Sequence, residues 1–267
     1  MSSARETGDG RILTERRGGV FLIGLDRPEK FNALTPAMFS DLADAFTQLD
    51  EDPELRVGVF HAMGKHFTAG LELTRFAEGM RKGESGATGS GGRVDPFALK
   101  RKCRKPVVAA VKGIVFTAGI EMMLACDIVI ASADCRFSQL EPKRGVMAAG
   151  GGTFRFVERC GWGNAMLHLL TADEFTAAEA YRIGLVQEVV EAGRELPRAV
   201  EIAEIIAAQA PLAVQATKAN AMTYLEKGEA ACIGEFSAIQ QRLANTEDAR
   251  EGVQSFIERR AGRFQGR

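Results

Sequence analysis

The chain has 267 residues, 46% of them apolar, which is enough to bury a full-sized core and excludes disorder as its main state. Lys and Arg number 34 against 35 Asp and Glu, and the formal net charge of -1 argues against long-range steering toward nucleic acid or an anionic membrane. No stretch approaches the roughly 18 apolar residues of a membrane span, and the opening MSSARETGDG has no apolar signal-peptide core, so the expectation is a soluble cytoplasmic protein with no membrane or nucleic-acid partner.

In chain order, RILTERR (11–17) and GVFLIGLD (19–26), joined at Gly18 and Gly19, read as the two strands of a hairpin. Thr35-Pro36 then supplies an N-cap and a proline at the first helical position. With Met38, Phe39, Leu42, Ala45, Phe46 and Leu49 at helical spacing, this predicts a helix over 36–50. LRVGVFHA (55–62), PVVAAV (106–111) and DIVIAS (127–132) are almost wholly apolar, as strands covered on both faces are. Strands alternating with helical segments give an α/β protein with a parallel sheet. RKGESGATGSGGRVDP (81–96) mixes glycine, serine and charge without periodicity and predicts a mobile loop. Past residue 195 every segment reads as helix, which divides the chain into a core domain over 1–195 and a C-terminal helical region over 196–267.

Cys103, Cys126, Cys135, Cys160 and Cys232 show no CxxC spacing and are expected to be reduced, buried thiols. His61, His66 and His168 form no HxxxH-like ligand pattern, so no metal site is expected.

Three segments could carry chemistry. In GKHFTAGLEL (64–73), Gly70 and Leu71 lie where a strand gives way to a helix; unpaired amides there can bind a developing oxyanion, or the segment is a plain tight turn. VKGIVFTAGIEMMLACD (111–127) repeats the arrangement, with Thr117, Ala118 and Gly119 at the turn and Glu121 in the first turn of the helix. The helix dipole favours such an acid by roughly 0.3–1 kcal/mol, so a structural role suffices unless its apolar surroundings demand a partner or a task. In FSQLEPKRGVMAAGGGT (137–153), Glu141 precedes a proline and could simply pair with Lys143 or Arg144. Two glutamates on separate elements, without a histidine or aspartate cluster, fit an acid–base pair better than a metal site. GATGSGG (86–92) and AAGGGT (148–153) match no dinucleotide or phosphate-loop fingerprint: the first follows a charged loop and the second lacks the Lys-Ser/Thr pair.

RPEKFNALT (27–35), HFTAGLEL (66–73), KGIVFTAGIEMMLACDIVIAS (112–132) and FSQLEPKRGV (137–146) together resemble the crotonase, or enoyl-CoA hydratase/isomerase, superfamily. The resemblance continues through GWGNAMLHLLTADEFTAAEAYRIGLVQEVV (161–190) and EGVQSFIERRAGRF, covering the chain from residue 11 onward, and is nearest to the hydratases. It implies a spiral of ββα turns with two roughly perpendicular sheets, followed by helices that build a homotrimer or homohexamer. It also implies an acyl-CoA thioester whose carbonyl is held by the amides of Leu71 and Ala118, with Glu121 and Glu141 as catalytic residues. Lys30, Phe31, Ala33, Ala69, Gly70 and Gly119 are implied at the substrate and CoA site. No cofactor or metal is implied, because coenzyme A is part of the substrate. Ala148-Ala149 stand where the family commonly has Pro-Gly, which implies a reshaped turn and a change of acyl preference. An isomerase needing one carboxylate, and a CoA- or RNA-binding module with little catalysis, are the alternatives. The basic ending Arg259, Arg260, Arg263 and Arg267 is either a solvated helix end or a contact for CoA phosphates.

Overall fold

The computed structural model describes residues 8–83 and 91–267. Two sheets carry the fold. The larger takes the strand order β1-β2-β3-β4-β6-β9, with β1 (Arg11–Arg17), β2 (Val20–Asp26), β3 (Val57–Ala62), β4 (Val107–Val111), β6 (Ile128–Ser132) and β9 (Glu188–Val190). Only the β1–β2 hairpin is antiparallel; every later pair in this sheet is parallel. The smaller sheet joins β5 (Ile114–Phe116), β7 (Arg136–Ser138) and β8 (Phe175–Thr176). All three were outside the sequence expectation as separate strands, since two or three residues of mixed polarity carry no periodicity.

The parallel strands are apolar throughout because both faces are covered. On one face lies helix α1 (Pro36–Glu51), capped by Thr35, whose hydroxyl accepts from the Met38 amide at 3.2 Å, with Met38, Phe39, Leu42, Phe46 and Leu49 buried. On the other, α6 (Glu195–Ala207) lays Ala199, Val200 and Ala203 against Val20, Leu22, Val57, Val59, Val108 and Ile130. Each of these large side chains contributes about 1.5–3 kcal/mol by leaving water. The helix that opens the C-terminal region therefore belongs to the core, and the more loosely attached helices begin at α7.

Between β3 and β4 lies α2 (Leu73–Arg81), followed by the segment read as a mobile loop, of which 84–90 fall outside the described residues. Its far side is anchored: the Val94 amide donates to Thr47 Oγ1 at 2.8 Å, and Asp95 accepts from the Phe97, Leu99 and Lys100 amides. Helix α3 (Ala118–Ala125) follows β5, and α4 (Gly152–Thr171), bent at Gly161, and α5 (Ala177–Arg182) lead to β9. The tail is a hairpin of α7 (Pro211–Lys227) and α8 (Glu229–Ala244), followed by α9 (Glu247–Glu258). The hairpin is pinned by Asn220, whose side-chain amide donates to Cys232 O at 3.0 Å. Only Ala216 is buried in α7 and no residue in α8, while Tyr224, Leu225, Ile233 and Phe236 are exposed. Arg260 and Arg267 of the basic ending are paired, with Glu251 and Glu258 and with Glu247 respectively.

The five cysteines are all free thiols; Cys103, Cys126 and Cys135 are buried, but Cys160 and Cys232 are only partly so.

Candidate active site

Four segments converge at the ends of the strands. The chain after β2 makes a 3-10 turn at Pro28–Lys30 and passes through two consecutive left-handed residues, Phe31 (φ 50°) and Asn32 (φ 53°). Asn32 tolerates this conformation and uses it: fully buried, it accepts from the Arg27 amide at 2.7 Å and donates to Met63 O and His66 O at 2.9 and 2.8 Å. The Ala69 amide bonds Phe31 O, and Leu34 forms a parallel bridge with Leu71. Ala33 and Ala69 are half-buried here, whereas Lys30 and Phe31 face solvent, Phe31 edge-on to the His66 ring.

That bridge decides which amides are spent. Leu34 N donates to Gly70 O and Glu72 N to Leu34 O, while Gly70 N donates to Thr68 Oγ1. The Leu71 amide between them has no protein acceptor among the described residues. The neighbouring segment repeats the pattern: Thr68 bridges Val115 in parallel, Thr117 N donates to Ser138 O at 2.9 Å, and the Ala118 amide, opening α3, is likewise unspent. The two segments pack side by side: a Cβ on Gly119 would lie 2.6 Å from Thr68 Cγ2, and one on Gly70 would overlap the Thr117 hydroxyl. Thr117 itself sits at φ 49°, ψ -117°, an outlier for a β-branched residue.

Glu121, 3% exposed on the first turn of α3, points into the glycine-rich stretch that fitted no nucleotide loop. Its Oε1 accepts from the Gly150 amide at 2.7 Å and the Gly152 amide at 3.0 Å. Burial raises the pKa of this carboxyl, and the two amides together with Arg155 pull the other way by favouring the anion. Arg155, itself buried, holds the cradle by donating to Gly150 O at 3.1 Å and Phe97 O at 2.7 Å.

Glu141 starts a 3-10 turn, Glu141–Arg144, and does not pair with Lys143, which meets Asp173 instead. Its Oε2 is buried with no protein partner among the described residues, and burial followed by the nearby Glu121 charge raises its pKa to about 7. Gln139, fully buried, links the two acids: its Nε2 stands 3.5 Å from Glu141 Oε1, and a Cβ on Gly152 would meet this nitrogen at 2.9 Å and Glu121 Oε1 at 3.1 Å. The two carboxyls are thus close enough to feel each other's charge but have different environments: Glu121 is cradled by two backbone amides, whereas Glu141 meets Gln139 Nε2 at 3.5 Å and leaves its Oε2 without a partner among the described residues.

Gln139, Arg155 and the Gly150–Gly152 cradle were not singled out as site residues from the sequence. Gln139 follows Ser138 in a short stretch of mixed polarity, so nothing in the sequence alone set it apart. Among the described residues no group of three or more His, Cys, Asp or Glu side chains could hold a metal ion, and no single helix is long and apolar enough to cross a membrane. A cavity of about 870 Å³ between the 94–104 segment and α7–α8 takes in neither acid and touches the site at Arg155.

Residues 15–267 match the enoyl-CoA hydratase/isomerase family. The chain is 34% identical over 263 residues to the enoyl-CoA hydratase EchA19 of Mycobacterium tuberculosis, covering 96% of both chains, and 32% identical to the 2,3-dehydroadipyl-CoA hydratase of Escherichia coli, covering 96% of this chain and 99% of that one. A solved structure described as a probable enoyl-CoA hydratase/isomerase from Mycobacterium abscessus superposes with a TM-score of 0.92 at 42% identity, over 96% of this chain and 98% of that one. The chain belongs to the enoyl-CoA hydratase/isomerase family and has the crotonase fold expected from its motifs. It is an enzyme of that family, and an acyl-CoA thioester is the substrate class that membership implies.

Proposed function

We propose that the chain is an enoyl-CoA hydratase, adding water syn across the double bond of a trans-2-enoyl-CoA to give a 3-hydroxyacyl-CoA. The observation that carries this reading is the pairing of buried Glu121, held by two backbone amides, with partly buried Glu141, whose Oε2 has no partner among the described residues and whose pKa the nearby Glu121 charge helps to raise. Hydration needs a base for water and an acid for carbon at the same time. Glu121, cradled by two amides, is the group better able to be anionic; it takes a proton from water as the oxygen bonds C3. The π electrons move toward the thioester, and Glu141, whose pKa burial and the Glu121 charge raise to about 7, delivers its proton to C2 from its protonated form. The acids end with their protonation exchanged and reset through solvent.

The unspent amides of Leu71 and Ala118 receive the enolate oxygen, a contribution worth about 3–4 kcal/mol for a principal donor. Lys30, Phe31, Ala33, Ala69, Gly70 and Gly119 form the rim and floor on which the CoA thioester would lie. In this mechanism every proton and charge is handled by the chain's own groups, so no cofactor or metal takes part. A homotrimer or homohexamer built through α7–α9 would cover their exposed apolar side chains, and a cytoplasmic location suits five unpaired thiols.

The experiment is a spectrophotometric panel of 2-enoyl-CoA thioesters from four carbons upward, with the product identified, run with and without EDTA. Loss of the enoyl absorbance with formation of the 3-hydroxyacyl thioester, unaffected by chelator, is expected. Migration of the double bond without uptake of water would replace the reading with isomerisation.

A further inference from the structure

We propose that the Thr117 hydroxyl is a third donor to the thioester oxygen, joining the Leu71 and Ala118 amides as a catalytic group. The identity of the oxygen rests on the hydratase reading; the placement of the hydroxyl does not. Thr117 is the N-cap residue of α3, a position where threonine ordinarily turns its oxygen back onto the helix amides, yet here the side chain makes no capping bond. Its backbone is fully used, the amide donating to Ser138 O and the carbonyl accepting from Ile120 N at 2.9 Å and Glu121 N at 3.2 Å. The hydroxyl has no protein partner among the described residues.

Its direction follows from Gly70, whose missing Cβ would overlap Thr117 Oγ1. The hydroxyl therefore lies against the Gly70 Cα, one residue from the unspent Leu71 amide, while the Thr117 carbonyl carbon bonds directly to the unspent Ala118 nitrogen. The hydroxyl thus sits where the two segments carrying the unspent Leu71 and Ala118 amides pack together. Gly70, at φ 99°, is compatible with this approach because it has no side chain. A β-branched residue at φ 49°, ψ -117° is strained, and that strain is met by no hydrogen bond the side chain makes within the protein. A ligand oxygen between the two amides is the acceptor that would use it. A hydroxyl donates more strongly to an enolate oxygen than to a neutral carbonyl, so the gain falls on the transition state and on kcat, not on binding.

The test uses Thr117→Val, which keeps shape and β-branching but loses the donor; Thr117→Ser, which keeps the donor; and Thr117→Gly, which relieves the backbone. Each is assayed with crotonyl-CoA, melted, and titrated with para-dimethylaminocinnamoyl-CoA, whose absorption moves to the red as its carbonyl is polarised. Thr117→Val is expected to lower kcat by about 10- to 100-fold with KM little changed, and to shrink the red shift. Thr117→Ser should restore both, and Thr117→Gly should melt higher than wild type while remaining as slow as Thr117→Val. Wild-type kcat and red shift in Thr117→Val, or full activity in Thr117→Gly, would overturn the proposal. If the wild type fails to hydrate crotonyl-CoA but polarises the dye, the hydratase reading falls while the comparison of red shifts still decides the role of Thr117. A wild type that neither hydrates nor polarises overturns both.

Discussion

Gly150 reaches Glu121 across 29 positions of sequence, its amide 2.7 Å from Oε1, and its α-carbon is so close that an added Cβ would stand 2.6 Å from Oε2 and 2.8 Å from the Phe97 ring. Neither neighbour can retreat easily, since Phe97 is buried and Glu121 is held by a second amide. Gly150→Ala should therefore fold but displace the carboxyl, lowering kcat by about 10-fold or more. Steady-state kinetics with circular dichroism checks this; a folded variant with unchanged kcat would show that the cradle does not position Glu121.

Removing either acid as a proton carrier while keeping its shape should be more severe. Glu121→Gln and Glu141→Gln are each expected to lower kcat by about 10²-fold or more, with KM for the enoyl-CoA changed far less. If Glu121→Gln kept near-full activity while Glu141→Gln was inactive, one carboxylate would suffice and the isomerase reading would take over.

The raised pKa of Glu141 sets the pH behaviour. As the acid that protonates C2 it must be protonated, so kcat/KM should fall as pH rises through about 7, and this alkaline limb should be absent from the residual activity of Glu141→Gln. Stability moves in the same direction. A carboxyl whose folded pKa lies above its unfolded value of about 4.5 binds more protons in the native state, so the native state loses stability as pH rises from about 4.5 to 7. Glu141→Gln should consequently melt above wild type at pH 8 and near it at pH 4. Equal melting temperatures at both values, or an alkaline limb that survives the substitution, would assign the titration to another group.

Much of the fold was legible because the features that create it are local. Apolar runs of five or six residues announced β2, β3, β4 and β6, and Thr35-Pro36 announced α1 to within a residue of its observed end. The short strands β5, β7 and β8 were not legible, since Arg136-Phe137-Ser138 owes its pairing to neighbours distant in sequence. The tail was read as one helical layer because helical periodicity says nothing about which surface a helix covers, and α6 turned out to cover the sheet. At the site, Glu121 and Glu141 were visible as acids out of place. The partner of Glu121 was not, because a glycine turn that cradles a carboxylate looks like any other glycine turn until residues 121 and 150 are brought together.

Asn32 holds in place the segment that carries the unspent Leu71 amide. Its side chain ties the Arg27 amide to the carbonyls of Met63 and His66, and its own carbonyl accepts from Thr68 Oγ1 at 2.7 Å, two residues before Gly70. Asn32→Ala would remove the partner of the buried Arg27 amide and of the part-buried Met63 and His66 carbonyls and set alanine at φ 53°, costing on the order of 1–3 kcal/mol. Asn32→Asp is nearly isosteric but should be worse. It retains an acceptor for Arg27 N, yet turns a carboxylate oxygen toward two carbonyls that need a donor, within a fully buried site. Urea unfolding of the two variants should rank them wild type, then Ala, then Asp, with kcat falling in both as the Leu71 amide loses its support. An Asp variant as stable as wild type would mean that the Met63 and His66 carbonyls are satisfied by other donors and that Asn32 does not anchor the segment.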